Sequence, residues 1–146
     1  MKLLNVGCGN KLAKCGDWIN VDMVPNKKIG VIGANIIKGL PFSDNKFSVV
    51  YHSQVLEHFQ KNQALPFLIE CRRVLRKDGI IRIVVPDLHY LTKKYLECVD
   101  ECLENDSKKA RIEYEWTLLQ IFDQMARNKP GGLMADFLYN LSPDGY

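Results

Sequence analysis

Near the N-terminus, Leu3-Leu4-Asn5-Val6 forms an apolar run that stops abruptly at Gly7-Cys8-Gly9. A short run with a β-branched end, closed by glycine, reads as a buried strand entering a turn. Glycine reaches positive φ and lets a neighbouring group approach where a Cβ would collide. Gly-x-Gly is also a common purely steric turn, so the rest of the chain has to say what the turn is for.

Further strands follow. Residues 18–23 alternate and close at Pro25-Asn26, and 28–37 form a weaker, glycine-interrupted third strand. Residues 47–52 form a stronger fourth after the turn Ser43-Asp44-Asn45, and 79–85, ahead of Pro86, the clearest buried one. Between the last two, Ala64, Phe67, Leu68, Cys71, Val74 and Leu75 recur at helical spacing, with Pro66 near the start and Lys77-Asp78-Gly79 as the stop. A strand, a helix and a strand in succession imply parallel pairing. After Pro86-Asp87 the pattern turns helical to Asn128, with one stripe through Leu88, Leu91, Tyr95, Cys98 and Cys102 and a second through Trp116, Leu119, Phe122 and Ala126. Pro130-Gly131-Gly132 then breaks into a short tail.

The expectation is an α/β fold: a Rossmann-like open, mainly parallel sheet of about five strands with helices on both faces and a helical C-terminal tail. A length of 146 residues, 47% hydrophobic and 25% charged, suits one domain, with 1–87 as the core and 88–146 as its helical part.

In such a sheet ligands sit beyond the carboxyl ends of the strands, where strand order reverses. A dinucleotide fingerprint would place a third glycine where this chain has Leu12, and an acidic residue roughly 20 positions on, whereas Asp22 arrives sooner. The stretch from Gly9 to Trp18 is too short for the full helix that offers its N-terminus to a pyrophosphate. Asp22 ends the second strand, where a carboxylate accepts hydrogen bonds from ribose hydroxyls. An adenosine ligand without phosphates fits this pattern best.

Five blocks carry a family likeness: Leu4-Asn5-Val6-Gly7-Cys8-Gly9-Asn10; Trp18-Ile19-Asn20-Val21-Asp22; Leu40-Pro41-Phe42-Ser43-Asp44-Asn45-Lys46-Phe47; Val55-Leu56-Glu57-His58; and Glu70-Cys71-Arg72-Arg73-Val74-Leu75-Arg76-Lys77-Asp78-Gly79. In this order and spacing the chain resembles the class I S-adenosylmethionine-dependent methyltransferases, within them the small bacterial-type members of the type 11 group. The resemblance implies S-adenosyl-L-methionine as cofactor and S-adenosyl-L-homocysteine as product, with Asn5, Gly7, Cys8, Gly9, Asp22, Met23, Asn35, Ser53 and Gln54 at the cofactor. Gly7 and Gly9 would approach the methionine part, Asp22 hold the ribose and Met23 pack on the adenine. Ser53, Gln54, Glu57 and His58 would border the methyl group or the acceptor. Two departures stand out. Asn35 replaces the usual Asp that accepts the adenine amino group, and no convincing pair of closing strands follows Asp87. Either the chain is truncated or its helical tail substitutes for them, packing on the sheet and shielding the strand at 80–85.

Candidate catalytic residues are His52, Glu57, His58 and Asp87, each with a plainer alternative. His52 is a ligand-facing group or a buried, hydrogen-bonded one; Glu57 and His58 border the acceptor or cap a loop; Asp87 steers an acceptor or caps the next helix. Glu57-His58 lacks the second histidine of a zinc HExxH, and no metal site is expected. The five cysteines follow neither a zinc nor a disulfide spacing. With 20 basic and 17 acidic side chains spread along the chain, a nucleic-acid partner is not indicated. No stretch approaches a membrane span and the N-terminal run is too short for a signal segment, so a cytoplasmic location is expected. The expected partners are a methyl acceptor, small molecule or saccharide, and a second copy bound through the C-terminal helices with Trp116, Leu119 and Phe122 as anchors. The competing reading is a non-catalytic cofactor-binding or interaction module.

Overall fold

The computed structural model describes residues 1–126 and 132–141. They form two compact units, Met1–Val85 and Pro86–Tyr146.

The first unit is the expected open parallel sheet. Strands β1 (Leu3–Val6), β2 (Trp18–Asp22), β3 (Val31–Gly33), β4 (Phe47–Ser53) and β5 (Leu75–Val84) lie in the order β3-β2-β1-β4-β5. Every neighbouring pair is parallel. β1 lies at the centre, with Leu4 beside Ile19 and Val50, and Val6 beside Val21 and His52. Partners in a ladder share a face, and this face is covered by helix α1 (Lys61–Val74), which joins β4 to β5. Leu4, Val6, Val21 and Val50 are fully buried against Phe67, Cys71 and Val74 of α1. Each such large side chain contributes about 1.5–3 kcal/mol of burial.

Three boundaries differ from the sequence reading. The third strand shrinks to Val31–Gly33, because a 3-10 turn at Lys27–Ile29 ends in a left-handed Gly30 just before it. α1 starts a turn ahead of Pro66: the Gln63 side chain accepts the Gln60 N–H at 3.1 Å and fixes the helix start. β5 begins at Leu75, which pairs with Phe47; the register then slips before Ile80 pairs with Val49. Lys77-Asp78-Gly79 therefore lies inside the strand rather than ending a helix. A Cβ on Gly79 would sit 2.6 Å from Leu75 Cδ1 and 3.0 Å from the Ser48 carbonyl oxygen, so close packing explains that glycine.

Only the β4–β5 crossover of this unit carries an α-helix; residues 7–17, 23–30 and 34–46 cross without one. β5 is a sheet edge on which Ile80, Ile81 and Ile83 are exposed.

The second unit contains α2 (Leu88–Glu104), α3 (Lys108–Ala126) and α4 (Gly132–Leu141). α2 and α3 bury Leu91, Cys98, Ala110 and Thr117, and Lys94 donates to Glu113 at 2.5 Å between them. Past the expected break, 132–141 is helical, as the expected helical C-terminal tail requires: Trp116 stacks on Phe137 at 5.8 Å and the Asp123 carboxylate accepts the Met134 N–H. Pro130 and Gly131 lie outside the described residues. Among the described residues no helix is long and apolar enough to cross a membrane.

A polar latch fastens the β3–β4 connection to α1. All five Arg73 donors are engaged: Nε and one terminal nitrogen take the two Glu70 oxygens, and the remainder reach the Leu40 and Phe42 carbonyls and Asp44. Glu70 also accepts the Leu40 N–H at 2.9 Å. The guanidinium beside it, with that backbone bond, pulls the Glu70 carboxyl down to about 2. A carboxyl depressed in the folded state stabilises above its ordinary range and loses that contribution as pH falls through the folded value. Arg73→Ala should cost about 2 kcal/mol in denaturant unfolding, between the values for exposed and buried pairs. It should also flatten the stability profile between pH 4.5 and about 2, the interval between the ordinary and folded values of Glu70. An unchanged profile there would remove the latch from the stability of the fold.

His52 supplies the opposite case. It is completely buried, its ring meets Phe67 edge-on at 5.1 Å, and neither ring nitrogen has a hydrogen-bond partner among the described residues. Burial alone pushes its pKa down to about 4. The folded chain therefore holds it neutral while an unfolded chain takes up a proton, and stability falls as pH drops from 6.5 to about 4. Removing two unpaired buried nitrogens outweighs the lost ring contact, so His52→Leu should gain about 1 kcal/mol at neutral pH. It should also abolish the pH dependence across that interval, checked by urea titration at several pH values.

Candidate active site

The strand order reverses between β1 and β4, so the carboxyl ends of those strands open onto the crevice where ligands of parallel sheets bind. The glycine turn leaves β1 here, with Gly7 at φ 66° and Gly9 at φ 48°. The two glycines serve different ends. A Cβ on Gly7 would sit 2.4 Å from Val55 Cγ2, in the loop after β4, so this glycine lets the β1 and β4 loops interlock. Nothing lies within 4 Å of the Cβ position at Gly9, which is exposed and free to meet a ligand.

Asp22, at the end of β2, closes the turn. One carboxylate oxygen accepts the Gly9 N–H at 2.8 Å and the other the Val24 N–H at 3.0 Å. Each oxygen keeps a second lone pair, so the carboxylate still has room for a pair of hydroxyl donors. Its backbone carbonyl accepts the Ala34 N–H at 2.9 Å and ties the end of β3 to the same edge. An adenosine cofactor fits this donor and acceptor set: a carboxylate with free lone pairs beside an exposed glycine with open space next to it.

The remaining cofactor candidates divide by position. Met23 is exposed beside Asp22. Asn35 is exposed after β3, its side-chain oxygen accepting the Ile37 N–H at 3.2 Å. It stands on the wall of a groove of about 500 Å³ that also includes Gly33, Ala34, Glu70 and Arg73 but not Gly7, Gly9 or Asp22. Ser53 ends β4, and Gln54 follows in a left-handed conformation, φ 57°, its N–H bonded to the Val84 carbonyl at 3.0 Å. A non-glycine residue held at positive φ costs on the order of 1 kcal/mol, a strain that clusters at functional sites. Cys8 is buried, and desolvation with the nearby Asp22 charge raises its pKa, so the thiol stays neutral. Asn5 is buried one layer below the turn, its amide engaged within the chain.

Of the catalytic candidates, Glu57 and His58 lie in a 3-10 turn, Leu56–His58, between β4 and α1. His52 faces α1 rather than the crevice, packed against Phe67. Asp87 is the N-cap of α2, accepting the Tyr90 N–H at 3.1 Å. Among the described residues no group of three or more His, Cys, Asp or Glu side chains is placed to hold a metal ion. Sequence reasoning missed Val55 and Asn20, both of which shape the turn. Their signals are faint: Val55 reads as any loop valine, and Asn20 as one polar residue in an alternating strand.

The family model that matches, over residues 4–83, is described as a methyltransferase domain, type 11. No curated protein sequence matches the chain. Among solved structures, one match is to a Methanococcus maripaludis protein described provisionally as an S-adenosyl-L-methionine-dependent methyltransferase. It has 13% identity and a TM-score of 0.43, over 84% of this chain and 68% of that one. The family match spans more than half of the chain and includes the glycine turn, Asp22 and the latch. The chain belongs to the type 11 group of the class I methyltransferases, whose cofactor is S-adenosyl-L-methionine.

Proposed function

We propose that this chain transfers the methyl group of S-adenosylmethionine to a small-molecule or saccharide acceptor in the cytoplasm. The observation that carries the reading is the Asp22–Gly9 junction, which sets a carboxylate and an open glycine backbone side by side at the switch point. On this reading Gly7, Cys8 and Gly9 flank the methionine half above Asn5, Asp22 holds the ribose, Met23 and Asn35 border the adenine, and Ser53 and Gln54 lie toward the reacting end. The cofactor supplies a methyl group already activated by a positively charged sulfur, so the chain's main work is to align the acceptor and exclude water. A base is needed only where the acceptor loses a proton, and Glu57 and His58 are the groups beside the crevice for that step.

A small acceptor is supported by Arg72 and Arg73 of α1, which are engaged within the chain rather than presented as a patch. Arg73 is held by Glu70 and Asp44, and Arg72 donates to the Leu75 carbonyl. The second reading, a cofactor-binding module without catalysis, is favoured by the structural roles of His52 and Asp87. The second unit exposes Phe122 and half-buries Leu119, which supports contact with another copy through its helices, while Trp116 is engaged with Phe137.

Asp22→Ala should weaken S-adenosylhomocysteine by about 1.5–3 kcal/mol in calorimetry, the loss of a charge-assisted hydrogen-bonding group. S-Adenosylmethionine and S-adenosylhomocysteine should raise the melting temperature and NAD should not; stabilisation by NAD alone would reverse the cofactor assignment. Asn35→Asp should tighten adenosine ligands several-fold by adding charge to the adenine contact, and equal affinities would take Asn35 out of the site. Sedimentation at micromolar concentration should show a dimer that Phe122→Glu converts to a monomer.

A further inference from the structure

The crossover from β1 to β2 carries no helix, so the backbone of residues 7–17 lacks the internal hydrogen bonds that a helix would provide. Two buried amides supply them. The Asn5 side chain donates to the Lys11 carbonyl at 3.1 Å and to the Asn20 side-chain oxygen at 2.9 Å. Asn20 accepts the Ala13 N–H at 3.0 Å and returns a hydrogen bond to the Ala13 carbonyl at 3.1 Å. Asn5 and Asn20 are only 4% and 8% exposed and are direct partners in the β1–β2 ladder, so the pair stands on the most constrained part of the sheet. They project from the face opposite α1. The pair grips the segment that follows Gly9 from the strands below it, while Asp22 grips Gly9 itself.

We propose that Asn5 and Asn20 are positioning residues for the methionine half of the cofactor: an amide clamp that replaces a helix and holds residues 7–13 in a ligand-ready shape. The inference rests on the reading of the glycine turn given above. Both Asn5 amide protons are engaged, and the buried Asn20 amide is bonded to the N–H and the carbonyl of Ala13; the two act through the backbone they hold. The ribose end of the site hangs on Asp22 and the end of β3, which the clamp does not touch. Loss of the clamp therefore discriminates between ligands instead of weakening all of them.

The test compares S-adenosylhomocysteine with 5′-methylthioadenosine, which keeps the nucleoside and sulfur but lacks the amino-acid part. In calorimetry well below the melting temperature, Asn20→Ala should weaken S-adenosylhomocysteine by about tenfold or more, the scale of one or two lost buried hydrogen bonds. It should change 5′-methylthioadenosine by less than about threefold on the same scale. Amide hydrogen exchange at Lys11 to Ala13 should accelerate in the same variant without ligand. Asn5→Ala, which leaves both Asn20 bonds to Ala13 in place, should show a smaller effect of the same kind and carries the comparison if Asn20→Ala does not fold. Equal weakening of both ligands, or no change in either, overturns the clamp while leaving the cofactor assignment intact. A wild-type chain that binds neither ligand overturns the assignment and the clamp together.

Discussion

Among the described residues β1 is the only strand flanked by a partner at every position on both sides, Leu3 to Val6 pairing with Trp18 to Val21 on one edge and Val49 to His52 on the other. Its backbone has no freedom to slip, because a one-residue shift would turn Leu4 and Val6 away from α1 and bring Asn5 into the core. The place where β1 ends is thereby fixed, and with it the height of Gly7 and Gly9 above the sheet. The chain moves outward from β1 to β2 and β3, then returns across it to β4 and β5. Right-handed crossovers in those two directions fall on opposite faces. That is why α1 covers the Leu4 and Val6 face while the helix-free β1–β2 loop lies on the Asn5 and Asn20 face.

The two faces are stabilised by different physics. Under α1 the contacts are apolar and the one polar intruder, His52, carries a desolvation cost that no hydrogen bond offsets. On the other face the loop backbone would be unsatisfied without side chains to bond it, and two amides, bonded to each other, meet three of its needs. Tyr51 extends that face, with Trp18 edge-on at 6.4 Å and Arg82 over its ring at 5.8 Å.

How much of this was legible in the sequence depends on whether the signal was local. β1 and β2 could be read almost to the residue, because an apolar run meeting glycine, and an alternating run meeting Asp and Pro, are short-range patterns. β5 misled at its start, since Lys-Asp-Gly after an amphipathic stretch is also a helix stop, and only the packing of Leu75 against Gly79 shows the chain already extended. The contacts of the helical tail were not legible for a different reason: Trp116 stacking on Phe137 joins elements that no window of sequence contains. The Glu70–Arg73 latch was visible as a motif but not as a structure, because its partners Leu40, Phe42 and Asp44 lie about thirty residues away. In the candidate site, the place of Asp22 at a strand end was legible. The neutral burial of His52 was not, since strand alternation alone does not say which face a helix will cover.

Asp22 joins the fold to the proposed chemistry in a way that complicates any single substitution. Its two oxygens take N–H groups from different segments, Gly9 after β1 and Val24 after β2, so the carboxylate is aimed before any ligand arrives. Such preorganisation is what lets a modest number of contacts give useful affinity, because the ordering cost is met in folding rather than in binding. It also means that an alanine at this position removes the turn's own tether together with the ligand's acceptor, and the affinity change sums both. An asparagine separates them. Its single oxygen satisfies one backbone donor while its NH2 faces the other, so Asp22→Asn tests whether the turn tolerates a repelled N–H. On the proposed reading the acidic residue serves twice, ordering a loop that has no helix and accepting the ribose diol.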